Sequence, residues 1–320
     1  MRRLDPQFDP YANDPGRWGA SLLNDAELLI ACLDAARPRS VVEVGAYAGD
    51  LTRLLLQWAE GAGARVWAID PSPQEELVAL DAGRDDLELV RAPSHEALRT
   101  IPPADAVIID GDHNYFTVSQ ELRIVAERSR PLPLLLFHDV CWPHGRRDDY
   151  FAPDEIPAEH RQPTSDGGCL FPGEPGISRG GLPYRRPAAR EGGPRNGVLT
   201  AVEDFVAERE GVRLAVVPAF FGFGVVWELD APWSADLAAV IDPWDRGPLL
   251  ERMEANRVLH LASSLHAHQR AGRQEAVLRR LLDSRAFSIA ELLSRLRVRA
   301  GIAPEASVVS KDEIRRALGD

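Results

Sequence analysis

Val41-Val42-Glu43-Val44-Gly45-Ala46-Tyr47-Ala48-Gly49-Asp50 decides the architecture. Apolar residues dominate its first four positions, the pattern of a strand buried on both faces of a parallel sheet. Two glycines then turn the chain, and an amphipathic run from Leu51 to Trp58 starts at once. Strand, glycine turn and helix start form the opening βα unit of an open α/β sheet. Glycine lets a ligand or another backbone approach closely, and the helix behind it presents free N–H groups. The same spacing also serves as a plain packing turn, so the rest of the chain must choose between the two.

Upstream, residues 1–23 read as an irregular arm rich in Pro, Asp, Asn and Gly. Asn24 with Glu27 has capping-box spacing and introduces the helical stripe Leu28, Leu29, Cys32, Leu33, which Arg37-Pro38 ends. Downstream, strands are predicted over Ala64 to Asp70, Leu87 to Val90, Ala106 to Asp110 and Leu132 to Val140. Helical patterns alternate with them: one opened by Ser72-Pro73-Gln74-Glu75, one over Ser94 to Arg99, one from Tyr115 to Arg128. After a helix from Val198 to Arg209, two close strands, Val212 to Val217 and Phe220 to Leu229, predict an antiparallel pair at the sheet edge. This alternation is that of a doubly wound α/β sheet.

Two stretches break the rhythm. Residues 142–197 hold 9 Pro and 10 Gly, with Trp142, Tyr150, Phe151, Phe171 and Tyr184 interspersed. A structureless insertion of that length reads as a lid whose aromatics face a ligand. Residues 233–320 form a helical extension, with apolar spacing at Leu250, Met253, Leu278, Leu281 and Leu282 and a second capping box at Ser310 to Glu313. From 249 onward there are 13 basic and 9 acidic residues, net +4 against −12 for the whole chain. That contrast suits packing on the acidic body or on a second copy of the chain, so a homo-oligomer is expected.

Composition narrows the function. A net charge of −12 over 320 residues argues against nucleic acid as partner. Apolar runs such as Leu134 to Phe137 are far too short to span a bilayer, and Met1 to Pro6 has no signal-like apolar core. Three scattered cysteines, Cys32, Cys141 and Cys169, suit a reducing, cytoplasmic setting. Lys311 is the single lysine, which removes Schiff-base chemistry and the P-loop.

In doubly wound sheets ligands lie beyond the C-terminal strand ends. The first strand ends in Gly45 to Gly49, the second in Asp70-Pro71 and the third near Ser94-His95. Asp70, about twenty residues past the glycine turn, is placed to accept from ribose hydroxyls, or else it caps the strand end. Glu43 is a carboxyl inside an apolar strand and needs a partner, from a ligand or from the turn itself. The fourth and fifth strands deliver Asp110, Asp112, His113 and His138, Asp139. Asp110, His138 and Asp139 are candidate ligands for a divalent cation, Mg2+ or, with an imidazole present, Mn2+ or Fe2+. His113 is a candidate general base. The alternative is that the imidazoles only bond the carboxylates. His144 and His160, in the insertion, read as solvent-facing.

With these residues in hand, the chain resembles the class I S-adenosylmethionine-dependent methyltransferases over roughly residues 24–230. Glu43-x-Gly45-x-x-x-Gly49 is similar to their first motif and Asp70 to their ribose-binding acid. Ile109-Asp110-Gly111-Asp112-His113 and Phe137-His138-Asp139-Val140 resemble the small-molecule and sugar O-methyltransferase branch. The resemblance implies a Rossmann-like fold with an antiparallel edge strand, lid insertion 142–197 within a domain 24–232, and a C-terminal helical extension. It implies methyl transfer to a small hydroxylated acceptor. It assigns cofactor contacts to Glu43, Gly45, Ala46, Tyr47, Gly49, Asp50, Asp70, Pro71, Ser94, His95 and Asp110. It gives catalysis to His113, Asp110 and His138, with a metal on Asp110, His138 and Asp139. His138 departs from the carboxylate of many relatives. An NAD-linked oxidoreductase is the first alternative, although only Gly45 and Gly49 of a Gly-x-Gly-x-x-Gly fingerprint are present. A non-catalytic cofactor-binding scaffold is the second.

Overall fold

The computed structural model describes residues 21–304 and 309–318; the arm over residues 1–20 lies outside them. Helix α1 (Ala26–Ala36) leads into strand β1 (Ser40–Val44), then α2 (Asp50–Ala62), β2 (Arg65–Ile69), α3 (Glu75–Asp81), β3 (Leu87–Val90), α4 (Ser94–Thr100), β4 (Ala106–Ile109), α5 (Tyr115–Arg128) and β5 (Leu134–Phe137). The insertion carries β6 (Gly168–Leu170) and β7 (Leu182–Tyr184). It is followed by α6 (Val198–Ala207), β8 (Val212–Val217), β9 (Phe223–Glu228), α7 (Ser234–Ile241), α8 (Pro248–Asp283), α9 (Arg285–Arg299) and α10 (Lys311–Leu318).

Seven strands form one sheet in the order β3-β2-β1-β4-β5-β9-β8. The first five strands are parallel, joined by four pairings, with Val42 opposite both Trp67 and Val107. β9 runs antiparallel between β5 and β8, so the late strand pair does close the sheet edge. One face is covered by α1, α2 and α7, with Leu29, Leu33, Leu55 and Leu237 fully buried. The other is covered by α4, α5 and α6, where Leu98, Leu122 and Val202 pack on Val107 and Leu135. Burial on both faces explains why β1, β4 and β5 read as continuous apolar runs.

Several local expectations are corrected. Asn24 and Glu27 do not form a capping box. A 3-10 turn over Leu22–Asp25 precedes α1, and Ser21 Oγ accepts from Leu23 N–H instead. α3 starts at Glu75, because Ser72 N–H is taken by Asp70 Oδ1 at 2.7 Å. The box at Ser310 and Glu313 does form, with bonds of 2.9 and 3.2 Å. β5 stops at Phe137 rather than Val140, because Asp139 turns with φ +58°. Helix α7 lies within the expected helical stretch but packs with α1 on the sheet, and residues 248–283 are one continuous helix.

Residues 142–197 are not structureless. Besides β6 and β7 they hold three 3-10 turns, and long-range polar bonds tie them down. Asp148 accepts from Tyr115 N–H, Gly197 N–H and the Tyr150 hydroxyl, at 2.7–2.8 Å. Buried Arg147 donates to the carbonyls of Ala188 and Pro175. Trp142, Phe171 and Tyr184 pack with Leu182 and Phe221 against Val258 and Ala262 of α8. These aromatics therefore build the insertion's own core. Phe151 is the exception and remains exposed.

Candidate active site

Gly45 holds the strand ends together. Its φ is +91°, and a Cβ there would lie 2.2 Å from the Asp110 carbonyl oxygen. A side chain would push the β1 and β4 loops apart, so glycine is required by this approach. Asp70 stabilises the same turn: Tyr47 N–H donates to Oδ2 at 2.8 Å, and Ser72 N–H donates to Oδ1.

Beyond these strand ends lies a cavity of about 620 Å³. Of the sequence-assigned cofactor residues, Gly45, Tyr47, Asp70, Pro71, Ser94, His95 and Asp110 line it. Glu43, Ala46, Gly49 and Asp50 are not on its wall. Glu43 sits behind the turn, where its Oε2 accepts from the Thr52 hydroxyl at 2.6 Å. Burial pushes its carboxyl up to about 8, against the pull of that hydroxyl. The structural partner of this carboxyl is thus Thr52. Sequence reading missed Phe116, Thr117, Gln120 and Glu121 of α5, and Ile156 and Pro157 of the insertion, all of which line the cavity.

At the ends of β4 and β5 two acids and two imidazoles converge. His138 Nδ1 lies 3.2 Å from Asp110 Oδ1 and 3.4 Å from Asp139 Oδ2. His113 Nε2 lies 3.1 Å from Asp139 Oδ2 and 3.7 Å from Asp110 Oδ1. The positive φ of Asp139 is what aims its carboxylate back at His113. Burial would raise the Asp110 carboxyl, but His138 and His113 outweigh it and hold it well below the usual carboxylate range. Burial would likewise lower both imidazoles, yet the two acids raise His113 to about 9 and His138 to about 10.

The donor set fits a divalent cation. Ligating atoms of Asp110, His138 and Asp139 lie within 4.8 Å of one another. The remaining ring nitrogen of His138, Nε2, is 3.0 Å from the Phe220 carbonyl. That bond, made by an Nε2–H donor, leaves Nδ1 facing the two carboxylates, the arrangement by which an outer partner orients a ligating imidazole. Phe220 reaches it from a turn in which Phe220, Phe221 and Gly222 all have positive φ.

His144 and His160 are not solvent-facing. His144 is 3% exposed, stacked on His113 at 4.7 Å and edge-on to Tyr184 at 4.9 Å. Burial pushes it down to about 3. His160 stacks on Phe116 at 4.7 Å, half-buried. Asp112 holds the insertion in place: its Oδ1 accepts from Phe151 N–H and its Oδ2 from the Thr117 hydroxyl.

Residues 42–140 match a family described as a methyltransferase domain. The ribosomal RNA small subunit methyltransferase C of Sodalis glossinidius (strain morsitans) is 28% identical over 156 residues, 42% of this chain and 45% of that protein. The chain thus matches less than half the length of this curated relative. Among solved structures, the SAH-bound Podospora anserina methyltransferase PaMTH1 aligns with a TM-score of 0.45 at 14% identity, over 72% of this chain and 91% of that one. Streptomyces venezuelae DesVI aligns at 0.41 with 12% identity, over 71% and 100%. No helix among the described residues is long and apolar enough to cross a membrane. The family match runs from β1 through the β5 turn, the same segment that delivers Gly45, Asp70, Asp110 and Asp139, and so this part of the chain is similar to a methyltransferase domain.

Proposed function

We propose that the protein transfers a methyl group from S-adenosylmethionine to a hydroxyl of a small acceptor, with His113 as general base. The observation that supports this best is the meeting of His113, Asp110, His138 and Asp139 beside a cavity that also holds Asp70 and Gly45. In this reading Asp70 accepts from the ribose hydroxyls through lone pairs left free by its two backbone bonds. The acidic chain, net −12, favours a small acceptor over the RNA of the curated relative.

Asp139, 3.1 Å from His113 Nε2, orients the ring and stabilises the imidazolium that forms. Above the value of about 9 that the two acids give it, His113 is the free base; it takes the hydroxyl proton on the ring nitrogen that does not face Asp139, while the acceptor oxygen bonds to the methyl carbon and the sulfur–methyl bond breaks. The stacked ring of His144 and the edge of Tyr184 restrict where the imidazole can turn. Asp110, His138 and Asp139 would hold the divalent cation, Mg2+ or Mn2+; when bound, it polarises the acceptor hydroxyl and lowers its pKa. Phe151, Ile156 and Pro157 lie on the cavity wall and narrow its mouth. Much of the rate then comes from alignment.

Calorimetric titration with S-adenosylmethionine, against NAD as comparison, tests the cofactor. Micromolar binding of the first, lost in Asp70→Ala, is expected; binding of NAD alone would overturn the reading. Acceptor screening with and without a chelator then tests the cation.

A further inference from the structure

Helix α8 buries three of its residues, Glu254, Val258 and Ala262, spaced four apart on one face. Val258 and Ala262 pack with Phe221 and Leu182. Glu254 brings a carboxyl to this apolar seat, and such a group needs partners. Its Oε1 accepts from Phe221 N–H at 2.8 Å. Arg257, one turn on, donates to both carboxyl oxygens at 2.6 Å, and its guanidinium lies 4.6 Å from the centroid of the Phe221 ring.

The peptide group that Glu254 holds is the one that reaches His138. Phe221 N–H and the Phe220 carbonyl belong to one planar trans unit and point in opposite directions, so fixing one end fixes the other. The N–H end meets Glu254, and the carbonyl end lies 3.0 Å from His138 Nε2. Across the ring, Nδ1 faces Asp110 at 3.2 Å and Asp139 at 3.4 Å. A line of polar contacts thus runs from α8 to the two acids. Local preference does not hold the unit there. Phe220 and Phe221 have φ of +48° and +71°, a region that bulky residues keep only where their surroundings over-determine it. The carbonyls of Phe221 and Gly222 accept from Cys141 N–H and Val140 N–H, which anchors the far side of the turn. Glu254 anchors the peptide that faces the ring, and a carboxyl on its N–H end strengthens its carbonyl as an acceptor.

We propose that Glu254 is a positioning residue of the strand-end cluster. Through the Phe220–Phe221 peptide it fixes the His138 ring, with Nε2–H on the Phe220 carbonyl and Nδ1 towards Asp110 and Asp139. The C-terminal extension thereby completes the site from behind, with no α8 residue on the cavity wall. The hold on the ring stands without any ligand; its effect on a cation rests on the cation reading given above.

The test compares wild type with Glu254→Gln, Glu254→Leu and Val258→Ala. Each is melted, titrated by calorimetry with Mn2+ and with S-adenosylmethionine, and followed by NMR for exchange of the His138 Nε2–H proton, assigned by its absence in His138→Phe. Glutamine keeps an acceptor for Phe221 N–H; leucine keeps the bulk and loses the acceptor. Val258→Ala loosens the same seat of α8 one turn away and leaves the peptide bonded. Glu254→Leu should bind Mn2+ about tenfold more weakly and exchange the Nε2 proton about tenfold faster, with S-adenosylmethionine affinity within a few-fold of wild type. Glu254→Gln should stay near wild type in all three. Val258→Ala should lower Tm and leave Mn2+ affinity and proton exchange unchanged. If Glu254→Leu does not fold, its combination with Arg257→Leu, which leaves neither charge alone in the interface, takes its place. Wild-type Mn2+ affinity and exchange in the leucine variant, or the same losses in Val258→Ala, would reduce Glu254 to packing and overturn the proposal. Failure of wild type to bind Mn2+ overturns the cation reading, and proton exchange alone then decides for or against Glu254.

Discussion

Two groups of buried acids in this molecule are treated in opposite ways. At the ends of β4 and β5, Asp110 and Asp139 face the imidazoles of His113 and His138 at 3.1–3.7 Å, and Asp110 is kept ionised. Behind and beside the cavity, burial outweighs the Thr52 hydroxyl at Glu43, and the Ser94 hydroxyl and His113 at Glu121, and raises both carboxyls to about 8. Asp25, under α1, is raised to about 7 by burial despite the pull of His138. Charge is retained on Asp110, where two imidazoles meet it at bonding distance, and is given up at Glu43, Glu121 and Asp25, where burial outweighs whatever opposite charge reaches them. Desolvation acts on Asp110, Glu43, Glu121 and Asp25 alike; imidazoles within about 4 Å are what reverse it at Asp110.

Gly45 tests whether the two groups are held by one piece of backbone, and it carries the largest expected effect. Gly45→Ala puts a Cβ 2.2 Å from the Asp110 carbonyl oxygen at a φ of +91°. A loss of about 3 kcal/mol or more is expected, a fall in Tm of roughly 10 °C. Cofactor binding should be lost even in the fraction that folds. A variant with unchanged Tm and binding would show that the β4 loop moves freely of β1.

Asp110→Asn comes next, because it removes charge from the first group without changing shape. Methyl transfer to an acceptor found by screening should slow by about 100-fold or more. Calorimetric cation affinity should fall with it, while affinity for S-adenosylmethionine changes less. A rate within a few-fold of wild type would assign the ionised cluster to structure.

These contrasts were unevenly legible in the sequence. The sheet was readable because parallel strands such as Val41 to Val44 and Ala106 to Ile109 are apolar on both faces and end in glycine or acid. The cluster at β4 and β5 was readable because its members stand at adjacent strand ends. His144 was misread, since its burial depends on Tyr184, forty residues away, and on a cluster fixed by Asp148 and Asn196. Strands of three residues, such as β6 and β7, carry too little periodicity to be seen. Glu121 belongs to no motif. Only the packing of α5 on α4 reveals that it is inside. Glu43 was noticed as an odd charge, but Thr52 as its partner depends on the turn that folds α2 back over β1.

Glu43→Gln tests the second group through pH. In the native state the carboxyl stays neutral up to about 8, whereas in the unfolded chain it ionises above its ordinary value of 4.5. The unfolded state therefore releases its proton first. The contribution of Glu43 is greatest below about 4.5 and is lost as pH rises through about 8. Glutamine has no proton to lose, so Glu43→Gln should gain on wild type progressively from pH 5 to pH 8, by about 1–3 kcal/mol. Urea unfolding at several pH values reads this out. A difference that is flat with pH would mean that Glu43 is ionised in the native protein, and the comparison between the two groups would fail.

His144→Phe has the smallest expected effect and marks the border of the ionised group. His144 lies within ligating distance of His113 and Asp139, so it could be counted among the cluster. Its surroundings argue otherwise. It is pushed down to about 3 by burial, its Nδ1 has no hydrogen-bond partner, and its ring lies flat against His113. It acts as a neutral surface that fixes the base, and phenylalanine supplies the same surface without a buried polar atom. Stability should change by about 1 kcal/mol or less, the rate by a few-fold at most, and cation affinity not at all. A marked loss of cation affinity in His144→Phe would move His144 into the ligand set. The ionised group would then extend into the insertion, and the insertion would bind the cation as well as cover the cavity.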